Sequence, residues 1–390
     1  MKKHRFLKGA LCGALAMLLI VIVLAGGGLF LYGALRGDSA IGSATESKIN
    51  MVKSIIRSKY LYEEELEDED LESGIIKGYV SGLKDPYSVY YTEKETEELL
   101  NSLEGEFSGI GVVVTQDVNT NLITLVTVYP DSPAEKSGLQ ENDIIYKVNG
   151  EDITTQDLDT VVAKIRGEKG TKVELTVIRG SEAKEVTAEV TRDTIEVRTV
   201  EYRMLEDGIG YVQITQFDTV TYKQFENALT ELQAQGAKGF VFDVRNNPGG
   251  NLDTVCNMLD LILPEGTIVY TEDKDGKKET HSSDEEHKLD KPMAVLVNGN
   301  SASASEIFAG AIKDYGVGTI VGTTTYGKGI VQQLFSLGDG SCLKLTISEY
   351  FTPKGKSIHG KGVEPDVEVK YEKADNQLDR ACEVVRGKLK

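Results

Sequence analysis

Residues 11–35, LCGALAMLLIVIVLAGGGLFLYGAL, contain no charged side chain, and this stretch limits the chain's options more than any other. Hydrocarbon offers a backbone no hydrogen-bond partner, so such a segment satisfies its own N–H and C=O groups as a helix, and about 20 residues suffice to cross a bilayer. Lys2, Lys3, Arg5 and Lys8 precede it. Positive flanks stay on the cytoplasmic side. The expectation is therefore a short cytoplasmic tail and single transmembrane anchor over residues 1–36, a lipid bilayer around residues 11–35, and an extracytoplasmic remainder. A cleavable signal peptide carries an apolar region of about 7–15 residues. This run is longer, so retention is expected over cleavage at the small residues that follow, GDSAIGSA.

The formal net charge is −19, and five basic residues lie before Gly37, so the outer part is more acidic still. It cannot neutralise a phosphate backbone, which excludes nucleic acid as a partner. Part of the acidity sits in YEEELEDEDLE, residues 62–72, which reads as a solvated face. Cys12 falls in the anchor, and Cys256, Cys342 and Cys382 are far apart, with no CxxC and no histidine at metal-ligand spacing. No metal site and no cofactor are expected. The odd number argues against a disulfide framework. A single bridge is the alternative to buried free thiols, which the apolar surroundings of Cys256 and Cys342 favour.

Three textures follow the anchor. Over 37–104, apolar residues recur at three- and four-residue intervals from Thr45 to Tyr60 and from Leu71 to Leu83, predicting helices. The turn KDPYS and a third helical piece, EKETEELLNSLEG, close this region. Over 105–192 short β runs alternate with Gly, Asn and Asp turns: GIGVVV, LITLVTVY, DIIYKVNG, KVELTVIRG and EVTAEV. SPAEKSG and TQDLDTVVAKIRG are short helices among them. Over 193–371 strands alternate with helices, an α/β reading with buried strands, interrupted by the polar excursion DKDGKKETHSSDEEHKLDK as an exposed hairpin or loop. Residues 372–390 form a last helix that either docks on this core or pairs with another chain.

The chemistry concentrates where the buried strand MAVLVN turns through GN into SASASEIFAGAIKDYG, placing Ser301, Ser303 and Ser305 at a helix entrance. Free N–H groups and the positive helix end there stabilise an oxyanion beside a serine nucleophile. The competing reading is a small-residue helix start with Ser301 as N-cap. A nucleophile needs a base. His4 lies on the wrong side of the membrane, His281 and His287 lie in the charged excursion, and His359 sits in KSIHGKG. Lys328, flanked by glycines in TTTYGKGIVQQ, suits a Ser–Lys dyad. Its pKa must fall by about three units from 10.4, roughly 4 kcal/mol, which burial can supply. Gln332, expected on the same strand face, could orient it without adding charge. In FDVRNNPGG, Gly249 or Gly250 could give one oxyanion N–H and Ala304 the other. In FSGIGVVV, residues Gly109, Ile110, Gly111 and Val112 lie beside a strand edge where N–H groups can hold a peptide carboxylate.

FDVRNNPGGNL, VLVNGNSASASEI, GTTTYGKGIVQ and YFTPKGKSIHGKGVEPD, in this order and spacing, resemble the carboxyl-terminal processing (tail-specific) serine peptidases. The resemblance spans nearly the whole outer part and includes an inserted PDZ-like domain. It implies a crotonase/ClpP-like α/β protease core, with Ser303 as nucleophile, Lys328 as general base and Gln332 as its orienter. It implies proteins or peptides with accessible C-termini as substrates. Arg166 would hold substrate or couple the PDZ-like domain to the protease, against the plainer reading of a surface arginine. A homodimer is compatible with the last helix. The competing functions are a PDZ adaptor on an inactive peptidase scaffold and a hydrolase that relies on His359.

Overall fold

The computed structural model describes residues 42–284, 286–372 and 374–389. The expected anchor at 11–35 lies outside them. Among the described residues no helix is long and apolar enough to cross a membrane. The chain divides into two compact units, up to Gly74 and from Ile75 onward. In the first, helix Ser43–Lys59 leads to the 3-10 turn Glu63–Glu65. Arg57 bridges Glu63 at 2.9 Å and Asp68 at 2.7 Å, which fixes the acidic stretch locally.

The second unit carries the α/β core. Its sheet runs Val200–Met204, Ile209–Ile214, Gly239–Asp243, Met293–Val297, Gly318–Gly322, Val367–Glu368, with the first pair antiparallel and the rest parallel. Parallel strands covered on both faces read as continuous apolar runs, and all five residues from Met293 to Val297 are buried. Alternation then divides them. Met293, Val295 and Val297 pack with helices Thr221–Ala234, Leu252–Asp260 and Ala304–Tyr315, whereas Ala294 and Leu296 pack with Ala381, Cys382 and Val385 of helix Asn376–Arg386. The last helix therefore docks on the core. Arg245 secures it, bonding both Asp243 and Asp375 at 2.6 Å.

Phe308 pins the helix after the serines. Its ring lies 6.1, 6.3 and 5.7 Å from those of Phe217, Phe225 and Phe242. Truncating such a side chain typically costs about 3–5 kcal/mol. A second sheet holds Val89–Tyr91, Cys342–Phe351, Gly266–Asp273 and Lys278–Ser283, with Ile330–Ser336 also on Cys342–Phe351. The polar excursion is thus partly a hairpin, Gly266–Asp273 with Lys278–Ser283.

The β-rich module is a five-strand path, Val112–Gln116, Ile123–Val128, Ile144–Val148, Lys172–Arg179 and Lys184–Thr191, closed by helices Pro133–Lys136 and Leu158–Ile165. Leu125, Val161, Leu175 and Val190 form its separate core. The chain enters through Glu106–Gly109 and leaves through Asp193–Glu196, which pair antiparallel. Cys256, Cys342 and Cys382 are all free and buried.

Candidate active site

The turn after Met293–Val297 sorts the three serines by their bonding. Ser301, fully buried, donates its hydroxyl to Val244 O at 2.7 Å and accepts the Asn298 N–H. Ser305, equally buried, donates to Asn247 O at 2.9 Å. Both fasten the helix entrance to the neighbouring turn. Ser303 sits between them with φ 55° and ψ −115°; its hydroxyl lies over the Glu306 N–H as in a capping box, that N–H bonds Ser303 O at 2.8 Å, and the hydroxyl donates to no carbonyl among the described residues. A non-glycine residue in such a conformation stores about 1–3 kcal/mol of strain and persists only where its surroundings enforce it.

Two buried side chains enforce it. Glu306, with no exposed surface, accepts the Ser303 N–H at 2.9 Å and the Lys328 N–H at 2.8 Å on Oε2. Its Oε1 accepts the Thr325 hydroxyl at 2.6 Å and the Gly327 N–H at 2.7 Å. Four donors make the buried carboxylate tolerable. From the other side the Tyr350 hydroxyl lies 3.1 Å from Ser303 O and 2.6 Å from Lys328 O. The serine turn and the lysine loop are therefore clamped at both their N–H and C=O groups. Sequence reasoning missed both clamps. The Ser-x-x-Glu spacing of a helix cap was the available signal for Glu306, whereas nothing local marks Tyr350.

The glycine turn completes the site. A Cβ at Gly249 would meet Ser303 Cβ at 2.8 Å and Ala304 N at 3.0 Å, so only glycine lets the turn approach this closely. Gly249, one of the expected oxyanion donors, already gives its N–H to Asn247 Oδ1 at 2.8 Å. Asn247 is itself held by Ile214 O, so the Gly249 N–H is already occupied in this structure. Among the described residues no backbone carbonyl accepts from Gly250 N or Ala304 N.

Lys328 is half-buried, and its Nζ lies 4.6 Å from the centre of the Tyr87 ring. Burial holds the amine below the ordinary lysine range, and the charge of Lys344 adds to this, while Asp85 and Glu306 pull the other way. The strand expected to carry both Lys328 and Gln332 begins only at Ile330, so strand alternation does not relate the two. Gln332 Nε2 instead donates to Thr346 Oγ1 at 3.2 Å. His359 is exposed.

In the β-rich module a cleft of about 290 Å³ is lined by Gly109, Ile110, Gly111, Val112, Val162 and Arg166, among others. It follows the edge strand Val112–Gln116. The N–H groups of Ile110 and Gly111 have no backbone acceptor among the described residues. Gly111 has φ +80°, and a Cβ there would fall 2.4 Å from Ser132 Cβ. Arg166 is exposed at the mouth of the cleft.

Comparison with known proteins gives this arrangement its place. The family model "Peptidase family S41" matches residues 208–369, "PDZ domain" matches 124–179, and "Activating protease CtpB N-terminal domain" matches 36–96. The carboxy-terminal processing protease CtpA of Bacillus subtilis is 37% identical over 331 residues, covering 85% of this chain and 70% of that protein. The chain belongs to peptidase family S41. This S41 enzyme is a carboxyl-terminal processing serine protease with a PDZ domain and a mixed α/β fold. A probable CtpA-like serine protease of Staphylococcus epidermidis is 39% identical over 84% of the S41 chain and 66% of its own. Among solved structures, the photosystem II D1 C-terminal processing protease superimposes with a TM-score of 0.50 at 30% identity, covering 85% of the S41 chain and 90% of that one.

Proposed function

We propose that this S41 protease is anchored in the cell membrane by residues 11–35, faces outward, and cleaves the C-terminal regions of extracytoplasmic proteins with a Ser303–Lys328 dyad. One observation carries the assignment: Ser303 alone of the three serines donates its hydroxyl to no carbonyl among the described residues, and its backbone is tied to that of Lys328 through Glu306 and Tyr350. In this reading the PDZ cleft receives a substrate tail as an added strand, its terminal carboxylate on the Ile110 and Gly111 N–H groups. Neutral Lys328 takes the proton from Ser303 as Oγ attacks the peptide carbonyl, then passes it to the departing amine. The Gly250 and Ala304 N–H groups face the resulting oxyanion, and water hydrolyses the acyl-enzyme with Lys328 again as base. Gln332 supports the lysine indirectly. Catalytic hydrogen bonds tighten in the substrate complex, so Lys328 leaves Tyr87 to reach Ser303.

The test is peptide hydrolysis by folded variants. Ser303→Ala and Lys328→Ala should each remove activity, since members of such a unit fail together, while His359→Ala keeps it. Near-normal turnover in Lys328→Ala would transfer the base role elsewhere. The anchor, and a homodimer of the chain, are read by membrane fractionation and light scattering of the full chain. Recovery as a soluble monomer would reject both.

A further inference from the structure

The segment KDPYS looks in the sequence like a loop that merely ends the N-terminal helices. The structure brings it to the reacting groups. Val89–Tyr91 pairs antiparallel with Cys342–Phe351, Val89 opposite Lys344, and this pairing delivers the preceding turn to the lysine loop. Asp85 shapes the turn, accepting the Tyr87 N–H at 3.0 Å and the Ser88 hydroxyl at 2.6 Å. Ser88 Oγ accepts the Thr346 N–H at 3.1 Å, and Thr346 Oγ1 accepts from Gln332 at 3.2 Å. One short turn thus touches Lys328 through an aromatic ring and Gln332 through a chain of hydrogen bonds.

We infer that Tyr87, carried by the Asp85–Ser88 turn, is a positioning residue whose ring is the resting seat of the Lys328 ammonium. The inference rests on the reading of Lys328 as base. Lys328 Nζ makes no hydrogen bond or ion pair with another described residue, and the ring face at 4.6 Å is what holds it. An aromatic face attracts an ammonium ion through the ring quadrupole and has no comparable attraction for a neutral amine. The seat therefore holds the lysine while it is protonated and releases it once the proton is lost, when the amine becomes able to serve Ser303. The other groups facing Lys328 divide in sign: Lys344 from Cys342–Phe351 and burial favour the neutral amine, whereas Asp85 from the turn and Glu306 from Ala304–Tyr315 favour the ion. Tyr326, in the lysine's own loop, neighbours the Tyr87 phenol, and together with burial it holds the Tyr87 proton more firmly than usual.

The rising limb of kcat/KM against pH reports the free enzyme's base. Removing the ring should move that limb to lower pH by about half a unit to one and a half units, from the usual strength of a cation–π contact. Tyr87→Leu is expected to show this shift and Tyr87→Phe to keep the wild-type limb, because phenylalanine retains the ring. Replacing Tyr87 with pentafluorophenylalanine keeps the outline and reverses the ring's charge distribution, so it should follow leucine even if the leucine variant folds poorly. A limb unmoved in both the leucine and pentafluorophenylalanine variants overturns the inference. So does an equal shift in Tyr87→Phe, which would trace the effect to the phenol and its Tyr326 contact. Lys328→Ala is measured alongside: a rising limb that survives there brings down the base assignment itself, an outcome distinct from a failed seat.

Discussion

Two glycine-bearing turns do different work in this chain. At Asn247–Gly250 and Ser301–Ser305 the polar side chains Ser301, Ser305, Asn247 and Glu306 are committed to backbone, while the Ser303 hydroxyl and the N–H groups of Gly250 and Ala304 are left without a backbone acceptor among the described residues. At Gly109–Val112 the N–H groups of Ile110 and Gly111 are left open beside an edge strand. Reaction requires groups fixed before substrate arrives, since small misplacements are costly. Capture of an extended peptide requires an unfinished sheet edge. The two regions differ in what holds their open N–H groups: side chains bonded to backbone surround them in one, and an unpaired strand edge flanks them in the other.

The comparison breaks most visibly at Glu306. Glu306→Gln keeps the shape but turns an NH2 group toward donors that now meet an acceptor, so kcat/KM should fall by about a hundredfold or more, by the usual cost of a misplaced reacting group. Tm should fall as well, because buried N–H groups lose partners at about 1–3 kcal/mol each. Steady-state kinetics with a thermal melt reads both, and unchanged turnover would mean that the hold of Glu306 on this turn is irrelevant to reaction. Next is Gly111→Ala, which places a methyl against Ser132 in a left-handed backbone. The expected loss is in binding: KM for tail-bearing substrates should rise by about tenfold or more, while kcat on a short peptide that does not reach the cleft stays near wild type. A matching fall in kcat on that short peptide would deny the two regions their separate duties.

The smallest effect on activity, none, is expected from a change within the core. Asp218 is buried, Oδ1 has no partner, and burial pushes its carboxyl up to about 6. The folded state thus holds this proton to higher pH than the unfolded chain does. Its contribution to stability is greatest below the ordinary aspartate value and falls as pH rises through about 6. Asp218→Asn should remove that slope and add roughly 2–3 kcal/mol at neutral pH, with activity retained. Denaturant unfolding at pH 4.5 and 7.5 checks it; a variant no more stable at the higher pH would show that Asp218 finds a partner in solution.

Much of this was readable in advance because it is local. A buried strand, a turn of small residues and a helix with Ile307, Phe308 and Ile312 inward announce a helix-entrance site, and the glycines of NNPGG and YGKG mark where backbones approach closely. The choice among three serines on alternate positions was not local, for it depends on carbonyls at Val244 and Asn247, contributed by another strand end. Tyr350 and the Asp85–Ser88 turn reach the site through pairing across the second sheet, with no spacing to betray them. The same-face argument for Gln332 failed because it extended strand alternation two residues beyond the strand's start. The thiols went as their apolar neighbours suggested, and burial pushes that of Cys256 up to about 12.

The module's entrance and exit are neighbours: Phe107 stands opposite Ile195 in one antiparallel pair, where facing Cα atoms are about 5 Å apart. A gap that small is bridged by a few residues at little entropic cost. Recombination can therefore excise the cleft-bearing domain, or exchange it for a variant, by joining two adjacent chain ends while the strands of the α/β core keep their register. The inserted domain can diversify in evolution independently of the protease core.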